Sequence, residues 1–129
     1  MAALTLDRMY DMEDYELIQK LGSLGIRFVQ TGSKYICNPP VLNTDADFVI
    51  FDTSKFNPGN NGFFLTNQSD EYGSTDFDTY RNGDINLIVV KNYQEFRKWE
   101  VATAAAKQLN IKDKQKRIQL FQGVLYGNW

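Results

Sequence analysis

Apolar residues recur every three or four positions in three stretches of the chain, as they do along one side of an amphipathic helix. Residues 14–24, 93–109 and about 113–126 show this pattern. Asp14 is the expected cap of the first helix, and Asn110 separates the other two. The sequence therefore predicts one helix near the start of the chain and a pair of helices at its end.

Two further stretches alternate between apolar and polar residues, which is the period of a half-buried strand. Residues 26–31 form the first stretch and residues 45–51 the second. In the second stretch the odd-numbered positions from Asp45 share one face, and the even-numbered positions from Ala46 share the other. Both stretches are predicted to be strands.

A β-hairpin is predicted from the residues on either side of Asn82-Gly83. Residues 77–81 and 84–90 are rich in strand-forming residues, and Asn-Gly is the strongest short-range signal for a two-residue turn. This turn would place Arg81 opposite Asp84 and Thr79 opposite Asn86.

Residues 52–76 are rich in Gly, Asn, Ser and Asp, which is typical of a long loop. The short apolar run at 63–65 within it could add an edge strand. The predicted order is helix, strand, strand, loop, hairpin, helix, helix. We therefore expect an α/β (α+β) fold, with a mixed sheet of three to five strands flanked by helices.

Composition limits both the architecture and the chemistry. A chain of 129 residues fits a single domain, 1–129, and 43% hydrophobic residues argue against disorder. No apolar run approaches the ~20 residues that span a bilayer, and the start of the chain lacks the pattern of a signal peptide, so a cytoplasmic protein without a membrane partner is expected. The absence of histidine and the single cysteine, Cys37, exclude catalysis by Ser-His-Asp or Cys-His sites and zinc clusters based on cysteine.

The charges are distributed unevenly along the chain. Residues 1–90 carry 13 acids and 6 bases, for a net charge of −7, whereas residues 91–129 carry 3 acids and 8 bases, for a net charge of +5. The excess of bases has two interpretations: the solvated faces of two helices, or a cationic wall facing a phosphate ligand. Arg81, Lys114 and Arg117 are the candidate cations for the second interpretation.

One combination of residues suggests a functional site. Gly32-Ser33 follows the first predicted strand, and Asp45-Ala46-Asp47 begins the second. Carboxylates two residues apart on a strand point to the same side, with Cα atoms roughly 6.5 Å apart, so they can converge on Mg²⁺. A Gly-Ser turn leaves backbone amides and a hydroxyl accessible to a phosphate. Each motif alone is also compatible with a purely structural cap or turn.

Together with the later strand INLIVV, these motifs resemble the signature of the nucleotidyltransferase superfamily, which includes DNA polymerase β and CCA-adding enzymes. More closely, three segments look like those of small nucleotidyltransferase-like proteins encoded by bacteriophages: YRNGDINLIVV, the helix with Phe96-Arg97-Lys98-Trp99, and DKQKRIQLFQGVLYG. The resemblance covers about residues 26–126. The resemblance implies a nucleotidyltransferase-type fold in which Gly32-Ser33 binds the triphosphate and Asp45 and Asp47 hold two Mg²⁺ ions. It also implies a third acid on a neighbouring strand.

The chain departs from this pattern at the third acid, because the last strand offers Asn86. Asp84 lies two residues earlier on the same face and could substitute for it, or it could pair with Arg81 across the hairpin. Lys34 follows the Gly-Ser directly, so the usual basic residue is also displaced.

Two functions are therefore open. The first is Mg²⁺-dependent transfer of NMP from an NTP to a hydroxyl of a small molecule, RNA or protein, in the cytoplasm of a host cell if the chain is phage-encoded. The second is a catalytically reduced relative that binds a nucleotide, a nucleic acid or a host protein, alone or as an oligomer. The candidate catalytic residues are Asp45, Asp47 and Asp84, with Asp45 and Asp47 also as metal ligands. The candidate nucleotide-binding residues are Gly32, Ser33, Lys34, Arg81, Asn86, Lys114 and Arg117.

Overall fold

The computed structural model describes residues 12–42, 44–66 and 77–126, and in these ranges it shows four helices and five strands. The helices are α1 (Asp14–Ser23), α2 (Ser33–Ile36), α3 (Tyr93–Gln108) and α4 (Lys114–Tyr126), with a 3₁₀ turn at Gly59–Asn61. The strands are β1 (Val29–Thr31), β2 (Ala46–Ile50), β3 (Phe64–Leu65), β4 (Asp78–Asn82) and β5 (Ile85–Val89). No helix in the described ranges is long and apolar enough to cross a bilayer.

The five strands form one mixed sheet in the order β1-β2-β5-β4-β3. Strands β2 and β5 are parallel neighbours at its centre, and the other neighbouring pairs are antiparallel. The predicted fold class, a mixed sheet flanked by helices, is confirmed. The parallel pair brings the start of β2 beside the start of β5, and the candidate site lies there.

Helices cover both faces of the sheet, and each face has its own buried apolar cluster. On one face, α1 packs over the even-numbered side chains of β2, with a cluster that includes Leu17, Leu21, Phe48, Ile50 and Leu87. On the other face, α3 and α4 pack together over Val49, with a cluster that includes Ile88, Phe96, Trp99 and Phe121. The predicted division of residues 45–51 between two faces is therefore confirmed. Asp45 and Asp47 lie on the α3–α4 side.

At the start of each long helix, a side chain accepts hydrogen bonds from backbone amides of the first turn, which have no partner within the helix. The N-cap of α1 is Glu13, one residue before the predicted Asp14, and Glu16 completes a capping box with it. Asn92 accepts the amide of Glu95 at the start of α3. At the start of α4, Asp113 accepts two backbone amides. The three helices predicted from the apolar pattern are confirmed.

The hairpin forms, but the predicted register is wrong. Its two turn residues are Gly83 and Asp84, so Asn82 pairs with Ile85, and Arg81 lies opposite Asn86 instead of Asp84. Gly83 has φ +58°, and type II′ turns take glycine at this first central position. Asn82 becomes part of the strand because its buried side chain accepts the amide of Met12 and donates to the carbonyl of Asn61. By the same register Thr79 lies opposite Ile88, and the predicted pairing with Asn86 is also wrong.

The predicted loop contains the suggested edge strand, β3, which pairs with β4. Residues 67–76 of this loop lie outside the described residues. The one-turn helix α2 was not predicted, because a helix of four residues is too short for its apolar positions to show a period. It begins at Ser33, immediately after Gly32.

Candidate functional site

Three neighbouring strands bring polar side chains into one row on the α3–α4 face of the sheet. Asp47 on β2 is in register with Asn86 on β5, which in turn is in register with Arg81 on β4. Asp45 lies two residues before Asp47, on the same side. The two aspartates thus converge, as the alternation predicts, and Asn86 occupies the strand position where the resemblance implies an acid.

These four side chains form one hydrogen-bonded network, here called the polar network (Asp45, Asp47, Arg81 and Asn86). Arg81 binds Asp45 in a bidentate manner, with Nη1 3.0 Å from Oδ2 and Nη2 3.1 Å from Oδ1. Nη1 also donates to Asn86 Oδ1 at 3.1 Å. Asn86 Nδ2 donates to Asp47 Oδ1 at 3.0 Å and to Asp45 Oδ2 at 3.4 Å.

The orientation of the Asn86 amide follows from its neighbours. Its oxygen faces a guanidinium that can only donate, and its NH₂ faces two carboxylates that accept. The opposite orientation would set oxygen against oxygen and hydrogen against hydrogen. Arg81 therefore determines that Asn86 presents a donor, and not a ligand oxygen, to the two aspartates.

Electrostatics reinforce the pair between Arg81 and Asp45. The hydrogen bond that Arg81 donates to Asp45 is the largest cause that raises the pKa of Arg81 above its usual range; burial lowers this pKa, and the charges of Asp45, Asp84 and Asp47 raise it further. The two side chains of the pair are 28% and 38% exposed, so solvent partly screens them. Bidentate geometry nevertheless makes this the type of ion pair that holds a defined position.

Gly32 lies directly against the carboxylate of Asp47. A Cβ atom at position 32 would be 2.2 Å from Asp47 Oδ2 and 2.9 Å from its Cγ, closer than any real contact allows. The backbone has φ +80° and ψ 174°, a region that is almost exclusive to glycine. The Gly-Ser turn is thus placed beside the second aspartate, as expected from the sequence.

A cavity of about 200 Å³ lies between this turn, the polar network and the beginning of α4. Ser33 and Asp47 line one side, and Lys114 and Arg117 line the other. Arg117 also donates to the carbonyls of Ile111 at 3.2 Å and Lys112 at 2.8 Å, so it fastens the loop before α4. Lys114 and Arg117 therefore line the same cavity as the Gly-Ser turn.

Three candidate residues do not line this cavity: Arg81, Asp84 and Lys34. The side chain of Asp84 is 91% exposed in the hairpin turn, and its nearest approach to Arg81 Nη2 is 4.0 Å. Of the two roles open to Asp84, the structure shows the pair with Arg81, as a long and exposed contact, while the short contacts of Arg81 are with Asp45. Lys34 points toward Asp14 Oδ2, 4.0 Å away.

Four residues that line the cavity were not singled out from the sequence: Ile36, Thr44, Ile118 and Phe121. The apolar stripe of α4 contains Ile118 and Phe121, but a stripe does not show which end of the helix faces a cavity. Thr44 could have been predicted to line the site from the sequence, because it directly precedes Asp45.

The polar network does not fit a pair of Mg²⁺ ions in the arrangement observed. Magnesium requires oxygen ligands, whereas both oxygens of Asp45 accept from Arg81, and Asn86 directs its NH₂ toward both carboxylates. Among the described residues there is also no cluster of three or more Asp, Glu, Cys or His side chains that could hold a metal. Arg81 already supplies positive charge beside the carboxylates.

The fold and the site define an α/β domain with a polar, charged cavity at the start of its two central parallel strands. Comparison of the chain with models of protein families, with curated proteins and with solved structures gives no match.

Proposed function

We propose that this chain is a catalytically reduced, nucleotidyltransferase-like domain that binds a nucleotide through its phosphates. One observation carries the proposal: Asn86 lies between Asp47 and Arg81, on the strand for which the resemblance implies a third acid. An amide cannot accept the proton of an attacking hydroxyl, and removal of a positioned base typically costs ~10²–10⁴-fold in rate. The site retains a place for phosphates but lacks that base.

The beginning of α4 supports a phosphate ligand. The first turns of this helix carry three basic residues, Lys114, Lys116 and Arg117, and the helix contains no acidic residue. Cations are unfavourable at a helix N-terminus, because the helix dipole places positive partial charge there. The carboxylate of Asp113 at the start of the helix offsets part of this cost. Lys114 and Arg117 line the cavity, where a bound anion would offset more of it.

The size of the cavity indicates which part of the nucleotide it accepts. About 200 Å³ is less than the roughly 300–1,000 Å³ of sites that enclose a whole small molecule. The phosphate chain would therefore occupy the cavity between Ser33 and Lys114, while the ribose and base would lie outside. We expect the four NTPs to bind with similar affinity.

Calorimetric titration of the chain with each NTP, and with inorganic triphosphate as the phosphate-only probe, tests this proposal. Lys114→Ala should weaken binding by about 10- to 100-fold, the effect of one hydrogen bond to a charged group. Lys116→Ala is the matched control, since Lys116 is exposed and lies two residues away on the same helix. Absence of binding by any NTP, or equal losses in the two variants, would refute the proposal.

Nucleotidyl transfer is the second candidate, and the convergence of Asp45 and Asp47 beside Gly32 favours it. It requires Arg81 to release Asp45. Incubation with labelled NTP and a divalent cation should show slow transfer or none, and Asn86→Asp should increase it by restoring an acid in the row. Transfer at several turnovers per second by the unmodified protein, abolished by Asp84→Asn, would instead make Asp84 the third acid.

A further inference from the structure

We infer that Arg81 is a resident counter-cation that takes the place of a divalent metal at Asp45 and makes ligand binding independent of metal. The bidentate contacts of 3.0 and 3.1 Å use both oxygens of Asp45. Arg81 is carried by the sheet, so its charge is present at every ligand concentration. The part of this inference that concerns ligand binding rests on the proposed function, whereas the part that concerns metal does not.

Arg81 opposes metal binding in two ways. Its positive charge repels a cation that approaches the two aspartates. Its bond to Asn86 Oδ1 also holds the amide with Nδ2 toward the carboxylates, 3.0 Å from Asp47 and 3.4 Å from Asp45. The site therefore presents donors where a metal needs acceptors.

Removal of Arg81 reverses both effects. Asn86 Oδ1 loses its donor, and rotation of the amide by half a turn then directs this oxygen toward the aspartates. Asp45, Asp47 and Asn86 would form a set of oxygen ligands on one face of the sheet, of the kind that Mg²⁺ and Mn²⁺ bind. A latent cation site is thus closed by a single side chain.

Binding of Mn²⁺ alone, measured by electron paramagnetic resonance of the free ion, tests the inference without any nucleotide. We expect no specific site in the unmodified protein and at least about tenfold tighter binding in Arg81→Met, because the charge is lost while the apolar stem is kept. Arg81→Lys keeps the charge, so its gain in affinity for Mn²⁺ should be smaller than that of Arg81→Met.

Three controls make the result specific. Arg97→Ala removes an arginine that pairs with Glu100 on the outside of α3, and it should gain no Mn²⁺ site. The double variant Arg81→Met/Asp45→Ala should lose the gained site. If Arg81→Met fails to fold by circular dichroism, Arg81→Gln serves as the uncharged variant. Specific binding by the unmodified protein as tight as that of the uncharged variant, or no gain in a folded uncharged variant, overturns the inference.

Titration of ATP into the unmodified protein, with chelator and then with Mg²⁺, separates the two proposals. Equal affinity in the two conditions supports a resident counter-cation. Binding only with Mg²⁺ overturns this inference and leaves the proposed function standing. Absence of ATP binding refutes the proposed function, while the Mn²⁺ measurements still decide whether Arg81 closes a cation site.

Discussion

Replacement of Gly32 by alanine should destabilise the protein strongly, because two independent costs arise at the same position. The backbone at Gly32 has φ +80° and ψ 174°, where a residue with a Cβ costs about 1–3 kcal/mol. The new methyl group would also lie 2.2 Å from Asp47 Oδ2. The carboxylate must move away, which weakens its hydrogen bond with Asn86.

The expected loss of stability is the sum of these effects. A hydrogen bond to a charged group contributes about 1.5–3 kcal/mol, so Gly32→Ala should reduce the free energy of unfolding by about 2.5–6 kcal/mol. Domains of this kind have about 5–15 kcal/mol in total. With a urea dependence of about 2 kcal/mol per molar, the unfolding midpoint should fall by roughly 2 M.

Urea unfolding followed by circular dichroism measures the change, with Gly123→Ala as the matched control. Gly123 lies in α4 with nothing within 4 Å of a Cβ, so alanine there should stabilise the protein by about 0.5–1 kcal/mol. In the double variant Gly32→Ala/Asp47→Ala the carboxylate is absent. Its loss of unfolding free energy should therefore be smaller than the sum of the losses in the two single variants. A loss below about 1 kcal/mol in Gly32→Ala would refute the close packing of Gly32 against Asp47.

Two further predictions concern polar side chains outside the site. Asn82→Ala removes the bonds to Met12 N and Asn61 O, and because the side chain is buried, the free energy of unfolding should fall by about 2 kcal/mol in urea unfolding. Ser54→Ala should raise the pKa of Asp52 toward 3.8 in a carboxyl NMR titration, since the hydrogen bond from the Ser54 side chain is the largest cause of its depression. The lower pKa of Asp52 in the folded protein stabilises the fold at pH values above the pKa of Asp52 in the unfolded chain. This stabilisation is lost as the pH falls through the pKa of Asp52 in the folded protein.

Exposed neighbours supply the controls for both measurements. Asn60→Ala should leave stability within about 0.5 kcal/mol, and an equal loss in Asn60→Ala and Asn82→Ala would contradict the bridging role of Asn82. Thr53→Ala should leave the Asp52 titration unchanged. A Ser54→Ala protein with an unaltered Asp52 titration would show that the backbone amide alone lowers this pKa.

Local pattern was sufficient for the three long helices, for the existence of the strands and for the face on which the aspartates lie. Alternation over residues 45–51 placed Asp45 and Asp47 together, since side chains on a strand repeat every two residues. The helices α3 and α4 followed from a clear apolar period. The position of Lys114 and Arg117 beside the cavity was raised as one of two interpretations of the charge asymmetry.

The partner of Arg81 could not be predicted, because it depends on contacts distant in sequence. The buried side chain of Asn82 joins Met12 and Asn61, and this draws Asn82 into the strand and moves the turn to Gly83-Asp84. A local signal such as Asn-Gly cannot include this effect. In the observed register Arg81 lies opposite Asn86 and reaches Asp45. The ion pair between Arg81 and Asp45 therefore depends on this register.

The pair between Arg81 and Asp45 also connects strands that do not touch. Strand β4 joins the sheet through β5, and β5 separates it from β2, yet Arg81 on β4 reaches across β5 to the residue before β2. Strand β4 is therefore held to the rest of the sheet in two ways. Its backbone forms hydrogen bonds with β5, and the side chain of Arg81 crosses β5 to bind Asp45. Removal of this link in Arg81→Met would loosen β4 relative to β2, and faster amide exchange along β4 would report the loss at a distance from the cavity.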